Sequence, residues 1–161
     1  MTPIADDVPL RYSRFLSDEA ATLNLGMDLA KTLTSGAIIY LYGNLGAGKT
    51  TLSRGILRGL GYEGKVKSPT YTLVEVYDVF KLHLYHFDLY RFTDALEWEE
   101  SGFDEYCDGD SICLIEWPEK AADILPAADL KLHLTPDNEG RAALIEALTA
   151  RGKLCLKRII E

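Results

Sequence analysis

The sequence predicts an α/β fold, with a central sheet of mixed parallel and antiparallel strands and helices on its flanks. Three observations carry this expectation. The apolar, β-rich run Ala37-Ile38-Ile39-Tyr40-Leu41-Tyr42 passes directly into a glycine-rich loop and then into a helical pattern. Two stretches rich in β-formers, residues 81–88 and Ser111–Glu116, each end on a carboxylate. Residues 72–79 and 81–88 read as an antiparallel hairpin. The 161 residues fit one domain, 1–161, with enough length to bury a core.

Taken in order, residues 1–12 hold two prolines and two aspartates and read as a loose lead-in. Ser17-Asp18-Glu19 then marks a helix start, a capping hydroxyl followed by acids in the first turn. Ala20, Leu23, Met27, Ala30 and Leu33 form its expected apolar stripe, ending near Gly36. Such a helix can simply cover the sheet, or its start (Ser17, Thr22) can help form a base pocket.

The glycine-rich loop is Gly43-Asn44-Leu45-Gly46-Ala47-Gly48-Lys49-Thr50-Thr51, which carries G-x-x-x-x-G-K-T, the spacing of a phosphate-binding P-loop. Gly43, Gly46 and Gly48 lack a Cβ, so the backbone can close around an anion. The N–H groups of residues 44–51 are expected to cradle phosphate oxygens, helped by the positive end of the following helix. Lys49 is placed to reach the β/γ-phosphates and Thr50 to ligate Mg²⁺. Leu52, Ile56, Leu57 and Leu60 continue at helical spacing, with Gly61 as a stop. The motif therefore lies between a strand and a helix, the context that confirms it, and the expected fold is that of a P-loop NTPase.

A polar turn, residues 61–67, leads to Lys67-Ser68-Pro69-Thr70-Tyr71. Pro69 bars regular structure there, and hydroxyls at Ser68, Thr70 and Thr72 are dense for a plain connector. This is the expected place for a switch loop that senses a γ-phosphate and its metal. In the hairpin that follows, His83 and His86 differ by an odd number and face opposite sides. One is expected to be solvated and the other packed or hydrogen-bonded. The second strand ends in Asp88, where a P-loop enzyme needs an acid near its metal. Residues 93–101 read as helical with a solvated acidic face, 103–107 as a short helix, and Asp108-Gly109-Asp110 as a turn.

Ser111–Glu116 ends an apolar strand in a carboxylate, the pattern of a Walker B element. Trp117-Pro118 stops it, and a short helix to about Ile124 follows. Residues 129–135 alternate as a strand. The tail is read as a terminal hairpin, with a turn at Ala150-Arg151-Gly152-Lys153 before a β-like segment, 154–160.

Composition narrows the function. The net charge of −8 argues against this chain gripping nucleic acid by itself, because phosphate contacts need clustered Lys and Arg. The three cysteines form no C-x-x-C pair and fit reduced, mostly buried thiols in a cytoplasmic setting. No secretory signal and no apolar run of membrane-spanning length is seen. The chain lacks an Asn/Thr-Lys-x-Asp guanine motif, which favours ATP over GTP, and lacks the arginine-rich lid of a small-molecule kinase.

The chain resembles the bacterial TsaE (YjeE) family, the ATPase component of tRNA threonylcarbamoyladenosine (t6A) synthesis. The matching pieces are GNLGAGKTT from Gly43, KSPTYTLVE from Lys67, HFDLYR from His86 and the Ile115-Glu116-Trp117 of ICLIEWP, in that order. Together they span the chain from about residue 16 to 134. The resemblance implies binding of ATP and Mg²⁺, slow hydrolysis, and action with TsaB and TsaD. TsaD would transfer the threonylcarbamoyl group to adenosine 37 of tRNAs that read codons starting with A, and this chain would support turnover, meeting tRNA only through its partners. It also implies catalytic roles for Lys49, Asp88 and Glu116, with Thr50 and Glu116 at the metal and Asp88 positioning either the metal's water or the attacking water. Arg91 is expected to pair with an acid or touch a partner, and Trp117 to pack or lie at an interface. Two other functions fit the same motif: a small metabolite kinase, which would label an added acceptor, and a non-hydrolysing ATP-gated interaction module.

Overall fold

The structure, a computed structural model, describes residues 10–44, 46–79 and 82–160. A seven-stranded sheet runs through it in the order β1-β7-β6-β2-β5-β4-β3. The strands are β1 (Leu10–Leu16), β2 (Ile38–Tyr42), β3 (Val74–Val79), β4 (Leu82–Asp88), β5 (Ser111–Glu116), β6 (Leu130–Asp137) and β7 (Gly140–Ala147). The helices are α1 (Glu19–Ala30), α2 (Lys49–Gly59), the single turn α3 (Glu97–Glu100) and α4 (Ala150–Ile160). Short 3-10 turns cover Phe103–Tyr106 and Pro118–Ala121.

Strands β2, β4, β5 and β6 run parallel, and β1, β3 and β7 are antiparallel to their neighbours. The mixed sheet expected from sequence is thus observed. β2, which feeds the glycine-rich loop, sits at its centre. Its side chains alternate between two cores, Ile39 and Leu41 in one and Tyr40 in the other.

The larger core lies under α1, α2 and α4, where Leu25, Leu29, Leu52, Ile56 and Leu156 pack on Leu84, Leu132 and Ile145. α1 is capped by Asp18, which accepts a hydrogen bond from Ala21 N at 2.8 Å, and not by Ser17 as expected. Its buried residues are Thr22, Leu25, Gly26, Leu29 and Ala30, of which Ala30 alone belongs to the expected stripe. The reason is that α1 packs on a second helix as well as on the sheet. A Cβ on Gly26 would stand 2.5 Å from Leu52 O, and one on Gly55 would stand 2.3 Å from Leu23 O. The two backbones meet through glycine, so Leu23 and Met27 lie at the helix–helix seam, and Ala20 is exposed. The smaller core holds Phe87, Leu89, Phe92, Trp98 and Phe103 on Tyr40, Cys113 and Ile115. Trp98 is wholly buried there, and its Nε1 donates to Asp104 Oδ1 at 2.5 Å. Helical structure between 93 and 101 is confined to Glu97–Glu100, and that after Trp117 to Pro118–Ala121.

Two further regions differ from expectation. Leu10–Leu16 is a strand, so the lead-in does not extend to residue 12; residues 1–9 lie outside the described residues, as does Phe80 between the two strands of the expected hairpin. The tail is a strand and a helix, not a terminal hairpin. The hairpin turn falls earlier, at Asn138 (φ 54°) and Glu139, and joins β6 to β7. Thr149 then starts α4: its Oγ1 accepts from Gly152 N at 3.1 Å and its carbonyl from Lys153 N at 2.9 Å. Gly152 is a close-approach residue, since a Cβ would stand 2.0 Å from Asp129 O. Cys107, Cys113 and Cys155 are free thiols. Among the described residues no helix is long and apolar enough to cross a membrane.

Candidate functional site

The carboxyl ends of the parallel strands β2, β4 and β5 open into a cleft of about 480 Å³, the place where open α/β sheets bind ligands. The loop after β2 supplies its floor. Gly46 and Gly48 adopt φ of 81° and 102°, and no atom comes within 3.4 Å of where either Cβ would stand. An L side chain would be strained in that backbone and would fill the cradle. The loop is held by Arg141 on β7, which itself lines the cleft and whose Nε donates to Ala47 O at 3.0 Å and Nη2 to Gly46 O at 2.9 Å. Nothing in the sequence motif pointed to Arg141, which reaches the loop through the register of the β6–β7 hairpin.

Lys49 opens α2 and is buried. Its Nζ lies 3.4 Å from Glu116 Oε1 and 4.5 Å from the centre of the Trp117 ring, yet makes no hydrogen bond among the described residues. The ammonium is thus held by charge and by the aromatic face, with its donors free.

The two acids come from adjacent strands, in register: Asp88 at the end of β4 pairs with Glu116 at the end of β5. Both are buried. Asp88 Oδ1 accepts from Tyr90 N at 2.9 Å, and Oδ2 from Thr70 Oγ1 at 3.3 Å. Burial raises its pKa above the ordinary carboxylate value, and the Glu116 charge adds to this against the Tyr90 and Thr70 hydrogen bonds and Lys49. Burial pushes Glu116 the same way, but the hydrogen bond and charge of His86, with Lys49 beside it, outweigh burial and lower its pKa. His86 is the packed histidine of the pair on β4, with Nε2 2.5 Å from Glu116 Oε2; His83 is exposed, beside Asp78.

The loop before β3 reaches the same acids. Ser68 Oγ and Thr70 Oγ1 are 2.7 Å apart and both line the cleft. Two non-glycine residues with positive φ border the acids, Leu73 (70°) and Trp117 (56°). Leu73 O accepts from Asp88 N at 2.9 Å, and Trp117 directly follows Glu116. Backbone strain of this kind clusters at functional sites.

The remaining sequence candidates fall as follows. Thr50 and Thr51 line the cleft, and Ala47 is buried behind it. Asn44 is exposed and accepts from Ala47 N at 3.0 Å, closing the loop's turn; Leu45 lies outside the described residues. Thr22 lines the cleft beside Asp18 and Glu19, whereas Ser17 does not. Arg91 stacks over the Tyr71 ring at 4.8 Å and makes no ion pair with a carboxylate among the described residues. Trp117 packs against Tyr90, with ring centres 4.9 Å apart.

The residues fit a nucleotide with Mg²⁺. A buried cation with free donors faces an open glycine cradle, and the hydroxyl of Thr50 and the carboxylates of Asp88 and Glu116 are hard oxygen donors. Among the described residues no three His, Cys, Asp or Glu side chains gather to hold a metal by themselves.

Comparison with known proteins bears on the family and the fold. A family profile described as "Threonylcarbamoyl adenosine biosynthesis protein TsaE" matches residues 16–143. A Haemophilus influenzae tRNA threonylcarbamoyladenosine biosynthesis protein TsaE is 47% identical over 146 residues, covering 88% of this chain and 92% of that one. Its Nostoc counterpart is 41% identical over 130 residues, covering 78% and 79%. The crystal structure of Bacillus subtilis YdiB superposes with a TM-score of 0.80 at 26% identity, covering 95% of this chain and 96% of that one.

Proposed function

The chain belongs to the TsaE family, and from that membership and the cleft we propose that it is a cytoplasmic, Mg²⁺-dependent ATP-binding protein with weak ATPase activity in tRNA t6A biosynthesis. It acts with TsaB and TsaD, supporting repeated threonylcarbamoyl transfer to adenosine 37 without performing the transfer. tRNA is held by those partners, in keeping with the net charge of −8. The observation that carries this reading is the convergence of Lys49, Thr50, Asp88 and Glu116 on one cleft beside an open glycine cradle.

The chemistry asked of the chain is phosphoryl transfer to water: charge neutralisation, an oriented water and a closed site. Mg²⁺, when bound, supplies charge neutralisation across the phosphates, held by the Thr50 hydroxyl and Glu116. Lys49 leaves Glu116 and the Trp117 face and brings its free donors to the phosphate oxygens. The backbone N–H groups of the loop bind the phosphates, and Arg141 keeps that backbone in shape. The opposite pKa shifts divide the acids. Glu116, held ionised, suits the metal. Asp88, with its raised pKa, suits orienting the attacking water and accepting its proton. Thr70, already on Asp88, and Ser68 sense the γ-phosphate and close the site.

The test is reconstituted t6A synthesis with TsaB, TsaD and substrate tRNA. With this chain and ATP, product should accumulate through many rounds per TsaD; without it, synthesis should stall early. Equal yields with and without the chain would remove its assigned role. Transfer of labelled γ-phosphate to a metabolite, instead of release of inorganic phosphate, would point to the kinase alternative.

A further inference from the structure

We propose that His86 is a positioning residue that keeps Glu116 in place when a nucleotide draws Lys49 away, a role that rests on the ATPase reading above. His86 is wholly buried on β4, two residues before Asp88. The β4–β5 register sets Asp88 opposite Glu116 and His86 opposite Leu114, so the imidazole reaches Glu116 diagonally along the same sheet face. Its Nε2 meets Glu116 Oε2 at 2.5 Å, and Nδ1 has no partner among the described residues. The ring's directional contact to the carboxylate is therefore the reason for a polar residue here. An apolar side chain would fill the same inward position without desolvating two nitrogens.

Glu116 divides its oxygens between two neighbours, Oε2 toward His86 and Oε1 toward Lys49 at 3.4 Å. A phosphate in the cradle competes for the Lys49 ammonium and removes one of the two. A buried carboxylate left without a partner turns away or takes up a proton. The Nε2–H donor does not depend on Lys49, so Glu116 keeps its orientation through the step in which it is needed. A partner standing behind a metal-ligating group in this way typically changes metal affinity or activity by about 10–100-fold.

The experiment compares wild type with His86→Leu, His86→Gln and His86→Asn, measuring Mg²⁺-dependent phosphate release, ATP Kd and thermal melting. The Gln amide nitrogen has the reach of Nε2, and the Asn amide only that of Nδ1. The expected pattern is a fall in kcat of about 10–100-fold for Leu and Asn, substantial recovery for Gln, and ATP Kd within about threefold of wild type throughout. In the nucleotide-free wild type, histidine-selective ¹⁵N NMR should find a proton on His86 Nε2, a readout that needs no turnover. If His86→Leu melts early, the Gln–Asn contrast and the NMR result decide. Wild-type turnover in His86→Leu, equal rates in Gln and Asn, or an unprotonated Nε2 would each overturn the positioning role. Absence of phosphate release from wild type would instead overturn the ATPase reading and the role that rests on it.

Discussion

Arg141→Ala should weaken nucleotide binding without touching any group that meets the nucleotide through the motif. Arg141 ties β7 to the phosphate loop through Nε to Ala47 O at 3.0 Å and Nη2 to Gly46 O at 2.9 Å. A hydrogen bond involving a charged group contributes about 1.5–3 kcal/mol when desolvated. Gly46 is exposed, so water replaces much of the second bond, whereas Ala47 is buried and its carbonyl loses more. A net loss of about 2 kcal/mol follows for the ordered loop. If binding must restore that order, ATP Kd rises about 30-fold, at 1.4 kcal/mol per tenfold. Arg141→Lys should recover less than half of this, because one ammonium cannot bridge both carbonyls as a fork does. Isothermal titration with ATP and Mg²⁺ measures it directly. A Kd unchanged in a well-folded Arg141→Ala protein would show that the loop holds its shape without the clamp.

Gly55→Ala should separate α1 from α2, because its Cβ would stand 2.3 Å from Leu23 O; a loss of about 1–3 kcal/mol is expected in urea unfolding, and an unchanged midpoint would mean that the helices have slack. Asp88→Asn should make the protein more stable near neutral pH while suppressing hydrolysis. The sign follows from the raised pKa of Asp88: the native state holds its proton more tightly than the unfolded chain, so wild-type stability falls as pH rises from the unfolded carboxylate value through the folded one. The Tm advantage of the variant should therefore be present at pH 7 and shrink below about pH 4; an advantage that grows on acidification would reverse the assigned shift.

The parts of the fold that were legible in the sequence are those set by local rules. The glycine spacing, the apolar run before it and the two carboxylate-ended strands each lie within about ten residues, and the structure gathers Lys49, Thr50, Asp88 and Glu116 on one cleft. The parts that were not legible depend on neighbours distant in sequence. The buried face of α1 follows from its contact with α2 through Gly26 and Gly55. Arg141 acts on a loop more than ninety residues earlier in the chain. Gly152 resembled a turn glycine but lies in a helix pressed against Asp129 O. There the sequence did hold a usable signal: Gly152, Cys155, Leu156 and Ile159 recur at helical spacing, and the first three are buried. β1 was obscured by the prolines before it, although Leu10, Tyr12 and Leu16 alternate inward.

Lys49 and Glu116 are proposed to serve hydrolysis of ATP in this cleft. The most direct measurement is Mg²⁺-dependent phosphate release by wild type, Lys49→Ala and Glu116→Ala, with ATP binding followed in parallel. Wild type should hydrolyse slowly. Lys49→Ala should lose about 2–4 kcal/mol of transition-state stabilisation, on the scale of a lost electrostatic donor, and Glu116→Ala should bind ATP yet release little phosphate. Hydrolysis at the wild-type rate in Lys49→Ala would rule out that role for Lys49.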